Sequence, residues 1–166
     1  MRVSKYFRNL WHIIVHKWYV FIECWKKGLY WQGVIHDFSK FSPIEFYAYA
    51  WYFFAYPLEK SMSRGKFLHI FNYAWLHHQH HNKHHWNYWV VDQYKKEALP
   101  MPEKYIQEML CDWAAMSRKF GDSPREFFKK TRHEMVLHPQ TEAYIVQTLL
   151  LDVQDNSGRT SRPETC

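Results

Sequence analysis

At 166 residues the chain has the length of one domain with one substantial core, and a composition 47% hydrophobic and 20% aromatic excludes disorder over most of it. The formal charge of +6 with neutral histidines suits an anionic partner, such as a nucleotide, a nucleic acid or a membrane surface, without choosing among them. Cys24, Cys111 and Cys166 are widely spaced and form no CxxC pair, which argues against a disulfide framework or a cysteine zinc site and points to a reducing, cytoplasmic setting.

Only five glycines and no Asn-Gly turn signal favour helices over strands. The pattern predicts a first helix over 4–27, with Gly28 near its end. Its apolar stretch is interrupted by His12, His16, Lys17 and Glu23, so it reads neither as a spanning helix nor as a secretory signal. A shorter helix is expected over 29–38. Ser42-Pro43-Ile44-Glu45 then reads as a helix start, with Ser42 as N-cap, Pro43 at the first position and Glu45 completing a capping box. That helix should run to Tyr56 and stop at Pro57. A charged loop over 58–66 precedes a helix over 66–82. Residues 83–101 read as irregular, with room for one helical turn. Pro102 opens a helix that runs to Phe120 and closes at Gly121; Asp122-Ser123-Pro124 opens another to about Leu137; Pro139 opens the last, to about Val153. The expected architecture is an all-α bundle of six to seven helices in one domain over 1–154, with 155–166 as a disordered tail.

Four features could carry chemistry. His36-Asp37 follows apolar Val34 and Ile35, so a polar pair is expected at the edge of a core, where a metal is a natural partner. On a helix the two side chains would point about 100° apart and could reach one ion, or let the carboxylate bridge two. Six of the twelve histidines fall within residues 77–85. If the helix continues, His77, His81 and His84 share one face, and His78, His81 and His85 another. His80 reads as solvated surface. Asp112 is the one acid within Met109–Met116, a costly position unless a cation or hydrogen-bond donors meet it. His16 lies on the first helix, one turn after His12. His133 and His138 read as surface or structural.

In chain order these give His16, His36-Asp37, His78 with His84 and His85, then Asp112. This resembles the HD-domain superfamily, whose pattern is H…HD…(H…H)…D on an all-α core. More closely, HDFSKFSPIEF and WLHHQHHNKHHWNYW resemble a family of small bacterial and phage proteins of unknown function, DUF5662. The resemblance implies an HD-like bundle with His16, His36, Asp37 and Asp112 as ligands of a first metal. It implies a second metal bridged by Asp37 and held by His78 with His84 or His85. Lys40 matches the lysine of the HD-x-G-K form, which lies near a substrate's anionic group; here Ser39 replaces the glycine. One or two divalent transition ions (Mn, Fe, Zn, Ni or Co) are the implied cofactor.

The leading functional expectation is a metal-dependent phosphohydrolase acting on a nucleotide or other phosphorylated small molecule. Asp37 and Lys40 would be catalytic, and Lys40, Asn82 and Trp86 would bind substrate, with Trp86, Tyr88 and Trp89 able to stack a base. Basic residues of the Ser61–Lys66 loop would draw the nucleotide in. The alternatives are a di-iron oxygenase on the same scaffold and a non-catalytic, metal-stabilised nucleotide-binding module. The expected partner is an anionic small molecule rather than a nucleic acid, with no transmembrane segment and a homodimer through the aromatic excess as an option.

Overall fold

The computed structural model describes residues 4–55 and 63–159, for Arg64 and 151–159 the backbone alone. Seven α-helices are seen among them: α1 (Lys5–Lys26), α2 (Tyr30–Ile35), α3 (Pro43–Phe54), α4 (Arg64–His81), α5 (Glu103–Phe120), α6 (Pro124–Thr131) and α7 (Pro139–Arg159). Helix α1 is central. It packs against α2, α3 and α5; α4 lies against α3, and α6 and α7 against α5. The chain is an all-α bundle, as composition and patterning lead one to expect. No helix among the described residues is long and apolar enough to cross a membrane.

Helix α1 begins at Ser4, whose hydroxyl accepts from Tyr6 N. It ends in a Schellman turn: Leu29 N donates to Cys24 O, Gly28 N donates to Trp25 O, and Gly28 takes the left-handed φ of +74° that this cap requires. Its buried stripe is Asn9, Ile13, His16, Val20 and Cys24. Val20 and Cys24 meet Cys111 and Ala115 of α5. A second apolar cluster joins α5, α6 and α7 through Ile106, Met109, Leu110, Phe128, Ile145 and Leu149. Each such fully buried side chain contributes about 1.5–3 kcal/mol. A third, Ala48, Tyr49 and Ala74, holds α3 to α4.

Three expectations need correction. The helix over 29–38 stops at Ile35. His36 is its C-cap in an extended conformation, and Asp37 is left-handed (φ 53°, ψ 28°) before a 3-10 turn over Phe38–Phe41. Aspartate tolerates this region better than most residues, and the strain sits where function concentrates. Within residues 83–101 the one expected helical turn is present, a 3-10 turn over Trp86–Trp89, but it leads into an unexpected two-stranded antiparallel hairpin, β1 (Val90–Asp92) and β2 (Glu97–Ala98). Asp92 Oδ1 accepts from Tyr94 N and Lys95 N and closes its turn. The helix expected to reach Leu137 ends at Thr131 and gives way to a 3-10 turn at Arg132–Glu134. The Ser123–Glu126 capping box at its start is complete. Helix α7 runs on to Arg159; the rest of the expected tail, 160–166, lies outside the described residues, as do Tyr56, Pro57 and most of the charged loop.

Candidate metal centre

Eight of the ten buried polar or charged residues among those described gather at one place between α1, α4 and α5: His16, His36, Asp37, Glu45, His78, Asn82, His84 and Glu108. His16 comes from the buried stripe of α1. His36 and Asp37 come from the α2 terminus, where the left-handed turn at Asp37 brings its carboxylate among imidazoles on both sides. Lys17 Nζ holds that terminus by donating to the carbonyls of Val34 and His36. Asp112 is one helical turn beyond Glu108 on α5.

The two carboxylate oxygens of Asp37 face two different groups. Oδ2 lies 3.3 Å from His16 Nε2 and 3.3 Å from His36 Nε2. Asp112 Oδ1 completes this group, 3.2 Å from His16 Nε2 and 3.8 Å from His36 Nε2. Oδ1 lies 3.3 Å from His78 Nε2 and 3.4 Å from His84 Nε2. His85 Nε2 is 2.9 Å from His78 Nε2. The ligand atoms of His16, His36 and Asp112 lie within 4.8 Å of one another, as do those of Asp37, His78, His84 and His85. Ligands about 2.1 Å from a tetrahedral ion stand about 3.4 Å apart, so these spacings suit an ion at each group.

The tautomers make the case sharper. His36 Nδ1 and His84 Nδ1 point at Glu108 Oε1, at 3.0 and 3.3 Å, and His78 Nδ1 points at Glu45 Oε2 at 2.8 Å. In its neutral form each ring carries its proton on the nitrogen that faces a carboxylate, which turns the Nε2 lone pair towards Asp37. Such lone pairs repel carboxylate oxygens unless a cation lies between, a metal ion or, on His36 in the metal-free protein, a second proton. His16 Nε2, His36 Nε2, His84 Nε2, Asp37 Oδ1 and Asp112 Oδ1 are buried and lack a hydrogen-bond partner. Such a convergence of orphaned acceptors is costly in a protein interior and natural around metal ions. The residues present therefore fit one ion held by His16, His36, Asp37 and Asp112. They fit a second held by Asp37, His78, His84 and His85.

Electrostatics agree. Four carboxylates, Asp37, Asp112, Glu45 and Glu108, meet a single lysine ammonium, that of Lys40 against Asp37 Oδ2. Burial works against charge on His36, yet Asp37, Glu108 and Asp112 raise its pKa to about 10. Burial likewise opposes charge on Asp37, but His36, Lys40 and His78 hold it well below the usual carboxylate range. Burial and neighbouring imidazoles push His84 and His85 down, into the neutral form that ligates. Burial opposes the Lys40 charge, and Asp37 and Asp112 overcome it.

Every residue expected at the metal centre, His16, His36, Asp37, His78, His84, His85 and Asp112, is brought into it, with Lys40 at its edge. The helical-face argument for the histidine run does not hold. Helix α4 ends at His81, Asn82 caps it, and the following turn swings His84 and His85 back onto His78. His77 and His81 stack on each other instead, and His80 is exposed. Asn82, expected to bind substrate, directs Nδ2 at Ser39 Oγ and His78 O and so acts within the protein, as a prop behind His78. Trp86 lines the larger of two cavities beside the centre.

Glu45 and Glu108 escape sequence reading. Glu45 looks like a capping-box residue, but only half of that box forms: Ser42 Oγ accepts from Glu45 N, while the carboxylate takes His77 and His78. Glu108 lies four residues before Asp112 on the same face of α5, but a glutamate on a helix that also carries Glu103, Lys104 and Gln107 does not stand out.

No curated protein and no solved structure matches the chain. The family described as "Family of unknown function (DUF5662)" matches residues 5–151. The chain belongs to that family.

Proposed function

We propose that this protein is a metal-dependent phosphohydrolase of HD-domain type, acting through a dinuclear centre bridged by Asp37. The observation that carries the reading is the pair of converging ligand sets on the two oxygens of one carboxylate, with buried acceptors that have no other partner. Divalent transition ions bound there would make a neutral-pH nucleophile from water and polarise a phosphoryl oxygen. The chain's own groups do the rest. Glu108 fixes His36 and His84, and Glu45 fixes His78, so the ligands need no reorganisation. Lys40 lines the smaller cavity beside Asp37 and neutralises charge that builds on a phosphoryl group. Phe53, Phe71 and Trp75 wall that cavity with apolar surface and restrict water. Buried, free Cys24 and Cys111 support a reducing, cytoplasmic setting.

A screen of phosphate release from phosphomonoesters and nucleotides, with protein reloaded with Mn, Fe, Zn, Ni or Co, tests the reading. Turnover that needs metal and is lost in Asp37→Ala supports it. Metal-loaded protein inert on the whole panel contradicts it. The second metal group, three imidazoles and one carboxylate, also suits iron, and favours as a second reading an oxygen-using enzyme. Oxygen consumption by the iron-loaded protein separates the two.

A further inference from the structure

Two cavities adjoin the centre and share Trp75, His85, Asp112 and Met116. The smaller, about 190 Å³, contains Lys40. The larger, about 570 Å³, starts at His84, His85 and Asp112 and runs along α5 to α6. Its walls include Trp86, Met109, Trp113, Phe120, Phe127 and Met135; the acids on it are Asp112 and Asp122, and among the described residues no lysine or arginine lines it. Its size is that of small-molecule sites in general, about 300–1,000 Å³. Aromatic and methionine walls accept flat or irregular apolar bodies. The two aspartates and the lack of a lining cation disfavour a polyphosphate chain.

Resting on the metal reading above, we infer that the ligand of this centre is bipartite. A small metal-binding head sits where the two cavities adjoin, and an uncharged, ring-bearing body fills the larger one. Affinity then comes largely from the body, and charge selection from the head and Lys40.

The test uses cobalt(II)-loaded full-length protein and two hydroxamates with the same head, acetohydroxamate and 2-naphthohydroxamate, followed by the cobalt visible spectrum. Burying a naphthyl ring should tighten binding by about a hundredfold. Ser117→Phe, or Asn87→Phe should the first fail to fold, fills the cavity away from the ligand residues. Either should bring the naphthyl probe down to the affinity of acetohydroxamate and leave the latter unchanged. Equal affinity of both probes for the cobalt protein, or naphthyl binding indifferent to the filling variants, overturns the inference alone. A chain that takes up no cobalt overturns the metal reading and this inference with it.

A separate observation concerns α1. Phe7, Trp11, Ile14, Trp18, Phe21 and Trp25 follow one another in steps of four and three, the seam spacing of a coiled coil. All but Phe21 are exposed, by 46–62%, on the side opposite the buried stripe. Trp18, Phe21, Trp25 and Tyr30 form a ring ladder with centroids 5.8, 5.4 and 4.5 Å apart. At about 200–250 Å² per aromatic side chain, the exposed rings of Phe7, Trp11, Trp18, Trp25 and Tyr30 offer roughly 700 Å². A stable pair needs about 800 Å² from each partner.

We propose that this seam pairs with the same seam of a second copy. Sedimentation velocity over a concentration series should show a dimer. Trp11→Glu/Trp18→Glu should be monomeric, with unchanged helicity and metal content. A wild-type monomer at every concentration overturns the proposal, as does a monomer that floats with phosphatidylserine vesicles and loses flotation in the double variant.

Discussion

Glu108→Gln separates a designed metal centre from a crowd of buried histidines. Glu108 belongs to neither of the two proposed ligand sets, yet its Oε1 faces Nδ1 of His36, from one set, and of His84, from the other. Glutamine keeps the volume but removes the charge. It can still accept through its oxygen, but the acceptor is neutral and no longer raises the basicity of the two rings. Loss of such an outer partner typically costs 10–100-fold in metal affinity, or about 1.4–2.7 kcal/mol. Because Glu108 serves a ligand in each set, both binding steps should weaken. Glu45→Gln, which serves only His78 among the ligands, should weaken one step and spare the other. Competition against a chromophoric chelator resolves the two steps, and a melting curve of each metal-free variant shows that the fold is kept. Glu108→Gln with both steps at wild-type affinity, or with only one displaced, would refute the assignment of that carboxylate to two ligand sets.

Other expectations follow from the same contacts. Asp37→Ala should hold no ion and Asp112→Ala one at most, counted by elemental analysis of the purified variants. Lys40→Ala removes a cation from Asp37 Oδ2; it should bind metal at least as tightly as wild type while KM for an anionic substrate rises by about tenfold or more. In metal-free protein the His36 pKa is raised from 6.5 to about 10. Its contribution to stability is then full below about pH 6.5 and is lost as pH rises towards 10, as denaturant midpoints will show. Metal must displace that proton, so proton release should accompany loading, and affinity should rise with pH across the same window. Chelator treatment should lower the melting temperature of loaded protein, since it leaves four carboxylates facing only the Lys40 ammonium and the protonated His36.

Much of the centre is legible in the sequence, because buried polar residues in apolar helices stand out. His36-Asp37 and Asp112 each interrupt an apolar run, while His16, beside Lys17, stands out only through the family resemblance; all three positions converge. The histidine run shows by density alone. Its geometry does not, since helical periodicity fails where α4 ends at His81 and a turn replaces the expected face. The αL conformation of Asp37 has no sequence signal strong enough to override the helical pattern before it. Glu45 and Glu108 are hidden for another reason: glutamate near a helix start or on a helix face is ordinary, and only tertiary packing turns these two onto imidazoles. The hairpin over Val90–Ala98 lacks Asn-Gly chemistry and is held by Asp92 and a Lys96 at φ 54°.

The most direct measurement is anomalous diffraction from crystals of metal-loaded protein, collected at the absorption edge of the metal found by elemental analysis. Two peaks should flank the Asp37 carboxylate, one among His16, His36 and Asp112 and the other among His78, His84 and His85. Density without an anomalous peak on either side of that carboxylate would contradict the dinuclear account.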